Sequence, residues 1–369
     1  MNKILYVTTI DLTINTFLVP HIKHLINKGY KVDCACNIND NVNLELKDKN
    51  VVLHDVSFNR NPFSIDNIKA ISQIRDIQRK HKYDIVHVHT PVASFITRFA
   101  LRNEKIKVIY TCHGFHFYKG APLINWLLYY PLEKISSRWT DKIITINNED
   151  FNRVQKFNLR NNGYTYLMNG VGIDKEKYIS NNFDKKEYRK QLGVGEKDLM
   201  ILILAEVNKN KNHIQIIKAL KYLKNRENIK VICAGRGPLE KALKEEVNKL
   251  NLQENIKFIG YRNDVKELLN STDCVALFSK REGLGKCLLE GMLVGKILIA
   301  TNTRGPKTII RDKENGFLID IGDYRKTSEV INNLANDNKL RESIVEKSSD
   351  NISKYLMNNV LEEIINYHK

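Results

Sequence analysis

No run of about 18 uncharged apolar residues occurs in the 369-residue sequence, so nothing in it reads as a bilayer-spanning helix. The opening MNKILYVTTIDLT passes directly into a strand-like run, without the apolar stretch and small-residue cleavage site of a secretory signal. The expectation is a cytoplasmic protein. Cysteine is sparse, and the six present (Cys34, Cys36, Cys112, Cys233, Cys274 and Cys287) read as buried thiols rather than as a disulfide framework. Cys34 and Cys36, two apart in a strand-like segment, point to one face. A single CxC, and the pair His87 and His89 with no acidic or cysteine set at familiar spacing, speak against a metal site. Any basic tail or dense Lys/Arg run is also missing, although the net charge is +17. Because the excess is spread over both halves, a nucleic-acid arm is disfavoured. Phosphorylated substrates or an anionic membrane surface suit it better.

What is present is a repeating rhythm. KILYVTTI reads as a buried strand, FLVPHIKHLINKGY as a helix stopped at Gly29, and KVDCACNI as a strand. ISQIRDIQRKHKY, DIVHVHT, VASFITRFALRN, KVIYTCH and DKIITINN then alternate in the same way. The pattern restarts at LMILILAEV and runs through IQIIKALKYLK, IKVICAG, PLEKALKEEVNKL, IKFIGY, DVKELLNS, CVALFS, KCLLEGMLVG and KILIATN. Such alternation predicts two doubly wound α/β domains with parallel sheets, residues 1–180 and 195–350. The polar interval YISNNFDKKEYRKQLGVGEKD serves as linker. The segment SIVEKSSDNISKYLMNNVLEEIINYH reads as helical, its end (351–369) able to pack back on the first domain. Two such domains facing each other gather the strand C-terminal ends around a cleft, where these sheets bind ligands.

Several constellations fall at those strand ends. Gly235 and Gly237 in ICAGRGP, and Gly283 and Gly285 in EGLGK, each precede a helix, a device that lets backbone N–H groups approach an oxyanion. In AEVNKNKNHIQ, Lys209 and Lys211 precede a helix that Asn212 or His213 could cap. A solvated basic turn and a point charge on a diphosphate are both open, and the strand-end position favours the second for Lys211. His113, followed by Gly114 at the end of KVIYTCH, is placed to act on substrate hydroxyls near neutral pH. Glu282 and Glu290 in SKREGLGKCLLEGM are carboxylates in a glycine-punctuated, apolar stretch. Glu282 could merely offset a helix dipole. Glu290 sits among Leu288, Leu289 and Met292, where an unpaired carboxylate is costly.

Taken in order, DIVHVHTPVAS, YTCHGFHFYKGAPLINWLLYYPLEK, ITINNED, NGVGID, AEVNKNKN, AGRGP, SKREGLGKCLLEGM and RGPKTIIRDKENGFLI resemble a family 4 glycosyltransferase of the two-Rossmann GT-B fold over essentially the whole chain. Its bacterial exopolysaccharide and capsule enzymes are the most similar. The resemblance implies a retaining transfer from a nucleotide sugar, with UDP the usual carrier in the family, and no catalytic metal or other cofactor. It implies that Glu282 contacts the transferred sugar near its anomeric centre and that Glu290 accepts the ribose hydroxyls. Lys211 would neutralise the diphosphate with the backbone amides of Leu284 and Gly285, beside Gly283, Asn208 and Arg281. His113 would lie near donor sugar and acceptor, with His116 and Lys119 on the acceptor side. Tyr261 and Arg262 would flank the base. Two departures stand out: Glu206 replaces the Arg that many relatives carry, and TTIDLTINT (Thr8 to Thr16) lacks the glycines of their first loop.

The acceptor implied is a lipid-linked, polyprenyl-diphosphate glycan. Phe117, Tyr118, Trp126, Tyr129, Tyr130 and Trp139 among Lys119, Lys134 and Arg138 form either a core helix with helically spaced rings or a surface for peripheral contact with an anionic membrane. Two competing functions remain. A GT-B-fold nucleotide-sugar epimerase would also bind the donor but transfer nothing. A non-catalytic basic nucleotide- or RNA-binding protein would explain the charge, but not two cleft carboxylates, which repel a phosphate backbone.

Overall fold

The computed structural model describes residues 2–39, 46, 48–180, 183–348 and 351–369. The chain divides into two compact units, Met1–Gly172 with Asn358–Lys369, and Ile173–Met357. In the first, the strands are β1 (Lys3–Ile10), β2 (Lys31–Asn37), β3 (Leu53–Asp55), β4 (Ile85–His89), β5 (Lys107–Cys112), β6 (Lys142–Thr145) and β7 (Tyr164–Leu167). All pair in parallel in the order β3-β2-β1-β4-β5-β6-β7. In the second, β8 (Leu199–Leu204), β9 (Ile229–Ala234), β10 (Ile256–Gly260), β11 (Cys274–Leu277), β12 (Ile297–Thr301) and β13 (Gly316–Ile319) form a parallel sheet in the order β10-β9-β8-β11-β12-β13. Each order runs outward in both directions from its first strand. The switch points, β1/β4 and β8/β11, therefore lie inside each sheet, where a crevice opens at the strand C-termini.

The apolar runs become strands because helices cover both faces of each sheet. In β8 and β11 nearly every residue is buried. The core of the first unit includes Val7, Val86, Val88, Val108 and Tyr110, and that of the second Ile201, Ile203, Val231, Ala276 and Ile299. Cys34, Cys36, Cys112, Cys233 and Cys274 are buried free thiols, and Cys287 is half-buried.

Several elements differ from expectation. TTIDLTINT is not a loop: β1 runs to Ile10, Asp11–Thr13 is helical, and Ile14–Leu18 is a π-turn leading into the helix Val19–Asn27. The interval 178–198 carries the helix Lys185–Gln191, whose buried Arg189 donates to the carbonyls of Ser271, Gly195 and Asp198, and it belongs to the second unit. The C-terminal segment is broken. Helix Asn338–Ser348 is followed, beyond Ser349 and Asp350 outside the described residues, by Asn351 at φ 80°, a short 3₁₀ turn and the helix Met357–His368. That last helix belongs to the first unit, with Lys142 Nζ donating to Tyr367 O at 3.0 Å and Lys107 Nζ to Lys369 O at 2.8 Å.

Candidate active site

In the second unit β8 and β11 are neighbours, which brings the loop after one against the loop after the other. Asn208 shapes the first loop: its Oδ1 accepts the N–H groups of Asn210 and Lys211, both at 3.0 Å. Asn210 then ties the loops together, donating through Nδ2 to Arg281 O (3.0 Å) and accepting from Lys280 N (2.8 Å). With both backbones held, Lys211 Nζ donates to Glu282 Oε1 at 2.5 Å. Burial alone would lower the Lys211 ammonium, but Glu282, with Cys287 and Glu206 adding to it, more than offsets this, so its pKa is raised. On the other side of the Glu282 loop, Arg304 Nε donates to Glu282 O at 3.2 Å. Gly305 sits so close that an added Cβ would lie 2.8 Å from Leu284 N and 3.0 Å from Glu282 Cβ. Only glycine permits that approach.

Gly285 opens the helix Lys286–Leu293, whose first N–H groups have no intrahelical partner. Glu290, on that helix, is buried, and its Oε1 accepts from Tyr178 Oη at 2.7 Å, with Lys286 Nζ at 3.5 Å. Tyr178 ends the helix Lys175–Tyr178, capped by Asp174. The carboxylate that an apolar helix face made costly is thus paired.

A cavity of about 630 Å³ lies at the ends of β8, β9 and β10, bringing together Glu206, Tyr261 and Arg262 with Gly235 and Arg236. Tyr261 is 70% exposed, its ring open to a stacking partner. Arg262 is engaged by Asp264 through two hydrogen bonds, one of 2.8 Å from Nε, and Tyr188 Oη adds a third to that carboxylate. Gly235 and Gly237 serve chain packing: an added Cβ would lie 2.0 Å from Ala205 O and 2.4 Å from Val207 O. Neither Asn212 nor His213 caps the helix Ile214–Leu220. Asn212 Nδ2 instead donates to Gln215 Oε1.

In the first unit His113 follows β5, its Nε2 3.1 Å from His89 Nδ1. His87 bonds Thr111 Oγ1 (2.7 Å) and His368 Nε2 (3.1 Å), and His21 Nε2 meets Val171 O at 2.8 Å. Burial holds His21, His113 and His368 down at about 4 and holds His87 and His89 well below the ordinary histidine value, so the whole array is neutral near pH 7. The His116 ring stacks on Tyr129 at 4.6 Å, and Lys119 is exposed beside Glu149, which accepts its N–H. Among the described residues, the group whose donors could converge on a cation is Asp33, His54 and His81. Tyr83 Oη already bridges Asp33 (2.7 Å) and His54 (2.8 Å) there, which gives the cluster a structural use.

The aromatic segment resolves as a core helix with an unforeseen outer face. Phe117 is buried and Trp126, Tyr129 and Tyr130 pack on the core, whereas Leu123, Ile124, Leu127, Leu128, Leu132 and Ile135 of helix Leu123–Ser136 are exposed. Sequence reasoning also missed Tyr178, Asn210, Arg236 and Arg304. RGP, quoted for its resemblance, held the signal for Arg304 and Gly305. Nothing local marked Tyr178, 112 positions from Glu290.

The family profile for glycosyl transferases group 1 matches residues 184–350, and that for glycosyl transferase 4-like proteins matches residues 3–147. A putative glycosyltransferase of Bacillus subtilis, EpsD, is 37% identical over 337 residues, covering 90% of this chain and 87% of its own. The UDP-Gal:alpha-D-GlcNAc-diphosphoundecaprenol alpha-1,3-galactosyltransferase of Escherichia coli is 27% identical over 287 residues, 76% of this chain and 74% of its own. Among solved structures, Anabaena HepE in complex with UDP and glucose superposes with a TM-score of 0.81 at 19% identity, covering 100% of this chain and 99% of its own.

Proposed function

The chain belongs to the glycosyltransferases of group 1 with the GT-B fold, and from that premise we propose a retaining, metal-independent family 4 enzyme of exopolysaccharide or capsule assembly. It moves a hexose or N-acetylhexosamine from a UDP-sugar to a lipid-linked or growing glycan. The observation that carries this reading is the separation of three charges on two adjoining loops and one helix: Lys211 paired with Glu282, and Glu290 paired with Tyr178. Lys211 and the amides of Leu284 and Gly285 take the diphosphate. Glu290 accepts ribose hydroxyls, and Glu282 the hydroxyls of the sugar. Tyr261 covers the base, with Glu206 and Arg236 lining the same cavity. Arg262, bound to Asp264, acts by holding that wall rather than as a free cation. Gly283 and Arg281 carry the loop, and Asn208 positions Lys211.

In the reaction the bond between the anomeric carbon and the diphosphate oxygen breaks as the acceptor hydroxyl adds to the same face. Its proton passes to the departing diphosphate. The protein's task is electrostatic: an ammonium and a helix N-terminus stabilise charge on the leaving group. His113, neutral near pH 7, hydrogen-bonds sugar hydroxyls without adding a charge, and His116 and Lys119 serve the acceptor. The E. coli relative's diphosphoundecaprenol acceptor supports a lipid-linked one here. Among the described residues no helix is long and apolar enough to cross a membrane. Access to such a lipid comes through peripheral contact at the cytoplasmic face, by the exposed aliphatic side of helix Leu123–Ser136 with its own Lys134 and the neighbouring Lys119 and Arg138. A panel of nucleotide sugars read by thermal shift, followed by transfer to lipid-linked glycans with and without EDTA, tests the reading. An inverted product linkage, an epimerised free sugar nucleotide, or transfer untouched by Glu282→Ala would overturn it.

A further inference from the structure

We propose that an apolar groove in the first unit holds a hydrocarbon segment of the acceptor lipid; this rests on the lipid-linked acceptor proposed above. The groove has a volume of about 450 Å³, within the ~300–1,000 Å³ range of small-molecule sites. Phe63, Ile65, Ile68, Phe95, Leu128 and Leu132 are among the apolar side chains of its wall. Of the sixteen large hydrophobic side chains exposed among the described residues, nine lie in 63–68 and 123–135, so the apolar surface is concentrated around this one feature.

Most of its polar lining is already engaged within the protein, Ser64 Oγ by Asp66 at 3.0 Å. Asn67 donates to Asn61 O (2.8 Å) and accepts from Asn59 N (2.9 Å), and Glu133 is bound by Arg98 (2.7 Å) and Tyr110 (3.3 Å). A peptide or glycan needs hydrogen-bonding partners that these groups no longer supply, whereas a hydrocarbon needs none. Position points the same way. The three wall segments leave the C-terminal ends of β3, β4 and β5, the sheet edge that also carries His89 and His113. Exposed Lys134 in the last turn of the helix that forms one wall, and exposed Lys119 and Arg138 before and after that helix, match a chain that ends in phosphate. Bilayer contact uses the outer face of that helix; the groove takes a single chain lifted out of the lipid.

The full-length protein, without donor, would be labelled with a benzophenone-tagged farnesyl diphosphate and the adducts mapped by mass spectrometry. Saturable labelling within 63–71, 91–96 or 128–132, competed by farnesyl diphosphate but not by inorganic diphosphate, is expected. Ile68→Glu and, independently, Leu132→Glu should weaken it by about tenfold or more, since each removes one apolar contact and adds a charge. Leu127→Glu, on the exposed helix face, should lose vesicle binding but keep labelling. UDP thermal shifts serve as the fold control in every variant. Loss of those shifts in the wild type would strike the transferase reading and leave the groove result standing. Absence of saturable labelling, equal competition by inorganic diphosphate, or a dimer dissolved by Ile68→Glu would overturn the proposal.

Discussion

Glu282→Gln should tighten the binding of free UDP. The Lys211 ammonium is held by Glu282 at 2.5 Å, and a diphosphate that takes it competes with that carboxylate. The worth of the pair is therefore subtracted from UDP affinity. Its side chains are 26% and 14% exposed, between the solvent-screened pairs worth ~0–1 kcal/mol and the buried ones whose disruption costs ~3–5 kcal/mol. About 1–2 kcal/mol is a reasonable middle value, equivalent to UDP binding ~5–30-fold tighter in Glu282→Gln. Lys211→Met should weaken UDP, and in the double variant the Glu282→Gln gain should vanish, because no ammonium remains to be released. Titration calorimetry of UDP against the four proteins reads this directly, and the gain should shrink as ionic strength rises. Both tryptophans lie in the first unit, so intrinsic fluorescence is a poor reporter of this site. Sugar transfer should fall in the same Glu282→Gln variant that binds UDP better. If Glu282→Gln left UDP affinity unchanged or lowered it, the two residues would not compete as described.

Tyr178→Phe removes one hydrogen bond to a charged acceptor but leaves Lys286 near Glu290, so UDP should bind roughly fivefold more weakly (about 1 kcal/mol); an unaltered dissociation constant would show that the tyrosine does not hold the carboxylate. Gly305→Ala should cost transfer far more than melting temperature, because its methyl group must push the Glu282–Leu284 loop aside; wild-type turnover in that variant would contradict the close packing. The first unit should be labile in acid. His21, His113 and His368 titrate near 4 when folded and near ~6.5 when unfolded, so the unfolded chain binds more protons as pH falls through that window. Each such histidine contributes stability that is present above pH ~6.5 and declines by up to about 1.4 kcal/mol per unit until its folded value is reached. Tryptophan-monitored melts, which report this unit, should drop steeply between pH 6.5 and 4, and a flat profile would refute the neutral-array account.

Much of the fold and part of the site could be read from the chain itself. The apolar runs KILYVTTI, LMILILAEV and CVALFS were visible as strands because burial on both faces demands continuous hydrophobicity, a local property. Lys211, Glu282 and Glu290 were visible because strand ends, glycines and a carboxylate on an apolar helix face are local too. Segments that broke the pattern were read less well. TTIDLTINT turned out to be strand and helix because its polar residues are satisfied internally: Thr9 N is met by Thr90 Oγ1, and Asp11 accepts from Leu12 and Asn39. Gly235 and Gly237 carried a phosphate expectation that their approach to Ala205 and Val207 accounts for differently.

Sequence alone determined two parallel α/β domains, the family and the residue types at the strand ends, all of which follow from periodicity and short-range spacing. Tertiary structure alone decided the pairings. Strand order sets β8 beside β11, and that adjacency joins Lys211 to Glu282 across 71 positions and lets Asn210 and Arg304 brace the loop. It also turned the aromatic side of helix Leu123–Ser136 inward and its leucines outward. Periodicity shows that a helix has two faces, but which face is covered depends on the neighbouring elements, and those are chosen by contacts distant in sequence.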